Sequence, residues 1–232
     1  IKVRDYVPEY AVIAHRGSTF WTPEETESAY RWAREIGADY LECDMQVSKD
    51  GVVLALHDDN LKRTTNIETV FGETLPREIR KNYYMKIGYS ETEAEEKVKA
   101  DEANFVPNLP AYYTYEELLM LDAGSWFNNE NLEEALPGLA KEKQYISTLE
   151  DLIMYSKGYR LIRDRNQPGM PRQYSIVGKT GETITSLSGT ADIVKYDFGY
   201  EIDPVWEAGN KNIPGIYIEF KEPWLNPKGF EQ

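Results

Sequence analysis

The chain has 232 residues and sets 26 Lys and Arg against 40 Asp and Glu, a formal charge of −14; nucleic acid and anionic lipid surfaces, which demand a basic face, are disfavoured as partners. With 41% hydrophobic and 28% charged residues it can build a sizeable core. Its longest apolar run, about five residues at 52–56, falls far short of the roughly 20 that a membrane span needs. A single cysteine, Cys43, excludes an internal disulfide and thiolate-rich metal sites.

The apolar run 11–14 ends at His15-Arg16-Gly17 and reads as a buried strand meeting a functional loop. A helix follows, with Thr22 as N-cap, Pro23 in its first position, Glu25 as capping-box partner, an apolar face at Ala29, Ala33 and Ile36, and Gly37 as terminator. Residues 40–47 read as the next strand, Ser48-Lys49-Asp50-Gly51 as a hairpin-type turn, and 52–56 as a further strand ending at His57-Asp58. Strand, helix, strand in this order implies a parallel α/β unit. Two excursions from the main fold are expected, at about 67–145 and about 157–212. The first contains a charged surface helix at 90–102 and precedes a helix capped by Thr148; the second holds short β-like runs between glycine-rich turns. Its Gly178-Lys179-Thr180 is no phosphate loop, because Gln173 stands where the required glycine would be. Residues 216–220 form the last clear strand.

His15 and His57, the chain's two histidines, each follow a strand-like run, where α/β folds place active-site loops. One histidine alone is more often structural, by about two to one; two in matched positions weaken that alternative and suit a general acid and base. Glu42 and Asp44, one residue apart in a strand, emerge on one face while Cys43 points to the other. Two such carboxylates call for an oxygen-loving divalent cation, Mg²⁺ or Ca²⁺, if buried; a solvated edge strand explains them equally well by spacing alone. Glu219 and Lys221 repeat the spacing on the last strand. Arg16 can offer a planar fork to phosphate or form an ordinary ion pair. Cys43 reads as a small buried hydrophobe, and Trp126 and Phe127 as packing residues.

His15-Arg16-Gly17, Pro23-Glu24-Glu25-Thr26, Glu42-Cys43-Asp44, Asp50-Gly51, His57-Asp58 and Leu61-Lys62-Arg63-Thr64-Thr65-Asn66 occur in one order, followed by Leu121 to Phe127, Ser147 to Glu150 and Ile218-Glu219-Phe220-Lys221. Together they resemble the glycerophosphodiester phosphodiesterases. The resemblance implies an α/β fold, a (β/α)₈ TIM barrel with its site at the C-terminal ends of the strands. It further implies one Mg²⁺ or Ca²⁺ held by Glu42, Asp44 and Glu219, with Arg16 and Lys221 on the substrate phosphate and His15 and His57 as the acid–base pair. The implied reaction hydrolyses a glycerophosphodiester to an alcohol and glycerol 3-phosphate, with the substrate's own glycerol hydroxyl as candidate first nucleophile.

Two departures accompany the likeness. Glu25 stands where the family usually has Asn. Strands end at His15, near Asp44 and at Lys221, with one more near Thr148 or in the 52–56 hairpin, where eight are needed. Residues 1–232 are therefore expected to be the N-terminal part of one barrel domain. The non-Met start and the family's nutrient-scavenging role lean towards export to the periplasm or medium. Two alternatives remain: a binding barrel without turnover, and a phospholipase-D-like or phosphoinositide-cleaving relative, which would need an apolar rim that the site loops do not suggest.

Overall fold

The computed structural model describes residues 9–130, 143–167, 170–186 and 189–221. Its centre is β2 (Tyr40–Val47), which pairs in parallel with β1 (Ile13–Ala14) and β8 (Gly215–Phe220) on opposite edges. The short β3 (Val53–Ala55) folds back antiparallel on the far end of β2, through the turn expected at 48–51. The 52–56 run is thus a hairpin arm rather than a barrel strand, and Thr148 contributes one isolated antiparallel bridge to Leu54. Three parallel strands with α1 (Glu27–Glu35) between the first two give the expected α/β class, and no closed barrel is formed by the described residues.

Alternation makes β2 two-faced. Leu41, Cys43 and Met45, all fully buried, join the core with Tyr30 and Ala33 of α1 and with Leu152 of α7 (Leu149–Ser156). Glu42, Asp44 and Gln46 lie on the other face and are buried as well.

The start of α1 differs from expectation. Its N-cap is Thr26, whose hydroxyl accepts from Ala29 N–H at 3.4 Å, while Thr22 spends its hydroxyl on Ser18 O. Glu25 is not a capping-box partner, because its carboxylate is drawn to the backbone of β2. Gly37 terminates the helix at φ 93°, and Ile36 is exposed, its expected place on the buried face taken by Tyr30 and Arg34.

The first excursion is helical: α2 (Ile67–Val70), α3 (Arg77–Lys86), α4 (Glu91–Ala103), a 3-10 turn at Pro110–Tyr112, α5 (Tyr115–Leu118) and α6 (Ser125–Glu130). Ser90 and Glu93 form a full capping box on α4, as do Thr148 and Asp151 on α7. The second excursion pairs β4 (Tyr159–Leu161) with β7 (Tyr200–Ile202) and forms a long hairpin of β5 (Tyr174–Ser186) and β6 (Gly189–Phe198), with α8 (Pro204–Ala208) after it. Both excursions return to the same core: the rings of Tyr196 and Phe198 each lie 5.6 Å edge-on from Tyr115, and the Tyr196 hydroxyl donates to Asp50 at 2.6 Å.

Candidate active site

The chain turns sharply where β1 ends. Arg16 and Gly17 both have positive φ, 55° and 87°, and a Cβ on Gly17 would stand 2.7 Å from that of Ala29, so only glycine fits between the turn and α1. Arg16 adopts the left-handed region at a cost of about 1 kcal/mol, offset by contacts on both of its backbone groups. Its N–H donates to Glu42 Oε2 at 2.7 Å, and its carbonyl accepts from Glu25 N–H at 2.9 Å. Glu25 is itself left-handed at φ 55° and returns a carboxylate oxygen to Asp44 N–H at 2.7 Å. The two loop residues thus brace each other and β2.

The register that sets Glu219 directly beside Asp44 brings together residues from opposite ends of the sequence. Ligand oxygens of Glu42, Asp44 and Glu219 all lie within 4.8 Å of one another. Arg16 Nε stands 3.1 Å from Asp44 Oδ2 and Lys221 Nζ 3.3 Å from Asp44 Oδ1, and Lys221 also pairs with Glu219. Burial, reinforced by repulsion from Asp44 and Glu219, raises the Glu42 carboxyl above its usual range, whereas the hydrogen bond from Lys221 lowers that of exposed Glu219. Burial likewise holds Glu25 well above the ordinary carboxylate range.

The donor set fits a hard divalent cation. Glu42 Oε1 is buried without a hydrogen-bond donor, as are both oxygens of the fully buried Asp44, and carboxylate oxygens on adjacent strands are the ligands Mg²⁺ and Ca²⁺ favour. Three carboxylates against Arg16 and Lys221 leave a formal −1; a divalent ion turns this to +1, the sign that draws a phosphodiester.

His15 is exposed at the end of β1. His57 is half-buried after β3, with Nδ1 2.6 Å from Asp58 Oδ1. Sequence reasoning passed over Asp58, Arg63 and Glu24, which link His57 to Arg16: Asp58 is hydrogen-bonded to the His57 ring, and Arg63 forms ion pairs with Asp58 and with Glu24, which pairs in turn with Arg16; their signal lay in motifs read only as family marks. It also missed an exposed aromatic pair in the β1–α1 loop. Phe20 is 58% and Trp21 39% exposed, their rings 4.6 Å apart, so the site loop does carry an apolar patch. Trp126 stays partly buried, its indole N–H on Ala123 O, and Phe127 is buried.

The sequence model of the glycerophosphoryl diester phosphodiesterase family matches residues 15–177. The chain belongs to this family. A glycerophosphoinositol inositolphosphodiesterase of Mus musculus is 29% identical over 198 residues, 81% of this chain and 31% of the relative. A glycerophosphodiester phosphodiesterase of Bacillus subtilis is 29% identical over 141 residues, 61% of this chain and 34% of the relative. The chain thus spans about a third of each. Among solved structures, an Oleispira antarctica phosphodiesterase in complex with the product sn-glycerol-3-phosphate is 26% identical with a TM-score of 0.40, covering 67% of this chain and 44% of that one. The match spans His15, Arg16, Glu42, Asp44 and His57, while Glu219 and Lys221 lie beyond it.

Proposed function

We propose that this protein hydrolyses glycerophosphodiesters to an alcohol and glycerol 3-phosphate. The observation that carries the reading is the buried Glu42 and Asp44 pair, three of whose four carboxylate oxygens have no hydrogen-bond donor, completed by Glu219 and with Arg16 and Lys221 alongside. Glu42, Asp44 and Glu219 hold one Mg²⁺ or Ca²⁺, which when bound supplies positive charge for the non-bridging oxygens. Arg16 and Lys221 orient the phosphate through charge-assisted hydrogen bonds. His15 and His57 share the proton transfers: one takes the proton of the glycerol hydroxyl that attacks phosphorus while the other returns one to the leaving alkoxide, and with the two roles exchanged water then opens the cyclic phosphate to glycerol 3-phosphate. Release of glycerol 3-phosphate from glycerophosphocholine, abolished by EDTA and restored by Mg²⁺ or Ca²⁺, is the expected result; turnover indifferent to chelation overturns the metal assignment, and no turnover by the full-length protein overturns the reaction.

A glycerophosphoinositol substrate is a second reading, favoured by what the mouse relative is named for. Competition between the choline and inositol esters separates the two.

The fold itself is proposed to continue around a barrel. Among the described residues β1 and β8 pair only with β2, and β8 exposes Tyr217, Ile218 and Phe220, the pattern of a sheet whose open edges await further parallel strands. An intact mass of the native protein well above 26.8 kDa is expected; a mass equal to it overturns this.

A further inference from the structure

Arg63 is 43% exposed, on the loop after His57, yet four of its five N–H groups are engaged. Nε and Nη2 donate to Asp58 Oδ2 and Oδ1 at 2.6 and 3.0 Å. Nη1 and Nη2 donate to Glu24 Oε2 and Oε1 at 3.0 and 2.7 Å. Its guanidinium also lies 6.0 Å from the centre of the Trp126 ring. Each carboxylate then reaches a site residue: Asp58 Oδ1 meets His57 Nδ1 at 2.6 Å, and Glu24 Oε1 meets Arg16 Nη1 at 3.3 Å.

We propose that Arg63 is the positioning residue of this site, a planar double clamp that sets the His57 imidazole through Asp58 and the Arg16 guanidinium through Glu24. Asp58, held down to about 2 chiefly by the Arg63 hydrogen bonds, is an ionised carboxylate and can only accept. The proton between it and His57 therefore sits on Nδ1, which leaves Nε2 as the ring nitrogen that exchanges protons with substrate. Without Arg63, a quarter-exposed Asp58 side chain is free to turn to water and the ring loses its anchor. Lysine cannot substitute, because one ammonium cannot pair two carboxylates in a bidentate manner. The catalytic half of this proposal rests on the phosphodiesterase reading; the conformational half does not.

The test compares full-length wild type, Arg63→Met, Arg63→Lys and Asp58→Asn by steady-state kinetics on glycerophosphocholine and by ¹⁵N correlation spectra of the imidazoles, with His57→Gln for assignment. Arg63→Met and Asp58→Asn are expected to lower kcat on the order of 10²-fold, as a displaced catalytic group does, with a smaller rise in KM, and to convert His57 from the Nδ1–H form to a tautomer mixture. Arg63→Lys recovers little of either. Wild-type kcat in Arg63→Met, an unchanged tautomer there, or full rescue by lysine each overturns the double clamp. An inactive wild type overturns the phosphodiesterase reading alone, since the tautomer still decides the clamp. Should Arg63→Met fail to fold, Asp58→Asn cuts the same link from its other side.

Discussion

The sheet that carries the site and the excursions around it treat buried charge in opposite ways. Around the sheet, in the excursions and in α7 between them, every oxygen of the central buried acids is engaged. Glu117 receives two hydrogen bonds from Arg80 and one from Thr114 N–H; Asp151 receives Arg172 at 2.7 and 2.9 Å, the Tyr200 hydroxyl and its own cap's N–H. Asp203 takes Arg31 and Arg34, both at 2.6 Å, and Val205 N–H. In the sheet, Glu42 Oε1, Glu25 Oε2 and both oxygens of Asp44 have no hydrogen-bond donor. Buried acids whose every oxygen receives a donor hold elements together; carboxylate oxygens left without one, even with the Arg16 and Lys221 cations beside Asp44, cost stability until a further charge neutralises them, and they mark where this molecule gives up stability for chemistry.

The contrast can be broken at several points. The largest expected effect is on turnover: His15→Ala or His57→Ala lowers kcat by about 10²- to 10⁴-fold, with Ca²⁺ or Mg²⁺ affinity by calorimetry unchanged. Next, Arg172→Met or Arg80→Met strands a buried carboxylate and costs about 3–5 kcal/mol in denaturant unfolding. Divalent cation should stabilise the wild type by about 2.7 kcal/mol at 100 times its dissociation constant, a gain that Glu42→Gln abolishes. Without metal, that variant should melt no lower than wild type, because the raised Glu42 carboxyl means its ionised form costs stability at neutral pH. A metal-free Glu42→Gln that unfolds far more easily would show the cluster to be structural.

The smallest effect is at acid pH. The folded Asp58 carboxyl lies at about 2 against an ordinary 3.8. Its contribution to stability is therefore present above about pH 4 and lost as pH falls towards 2. Asp58→Asn should flatten that part of the acid-unfolding curve slightly, the pair being too exposed for more.

Much of this was readable from local pattern. The strand at Tyr40–Val47, the turn after it, the charged helix expected at 90–102, the Thr148 cap and the glycine at 37 each depend on groups a few residues apart, and each stands close to where the spacing puts it. The start of α1 was misread because Glu25, three residues from Thr22, satisfies a capping rule on paper. In the fold its carboxylate bonds Asp44 N–H, a buried donor far along the chain. The strand at 53–55 was ambiguous for a similar reason: a short apolar run does not reveal which way it pairs.

The site divides in the same way. Alternation along one strand sufficed to put Glu42 and Asp44 on a common face, and the order of motifs sufficed to name the family. The resemblance implied that Glu219 and Lys221 join them; that this face is buried rather than solvated, that β8 pairs with β2 in the register that sets Glu219 beside Asp44, and that Arg63 joins Glu24 to Asp58 were decided only by the tertiary structure. The reason is physical: propensity and periodicity act over a turn or a pleat, whereas strand register and the desolvation of a charge depend on segments that meet only when the long loops between them close.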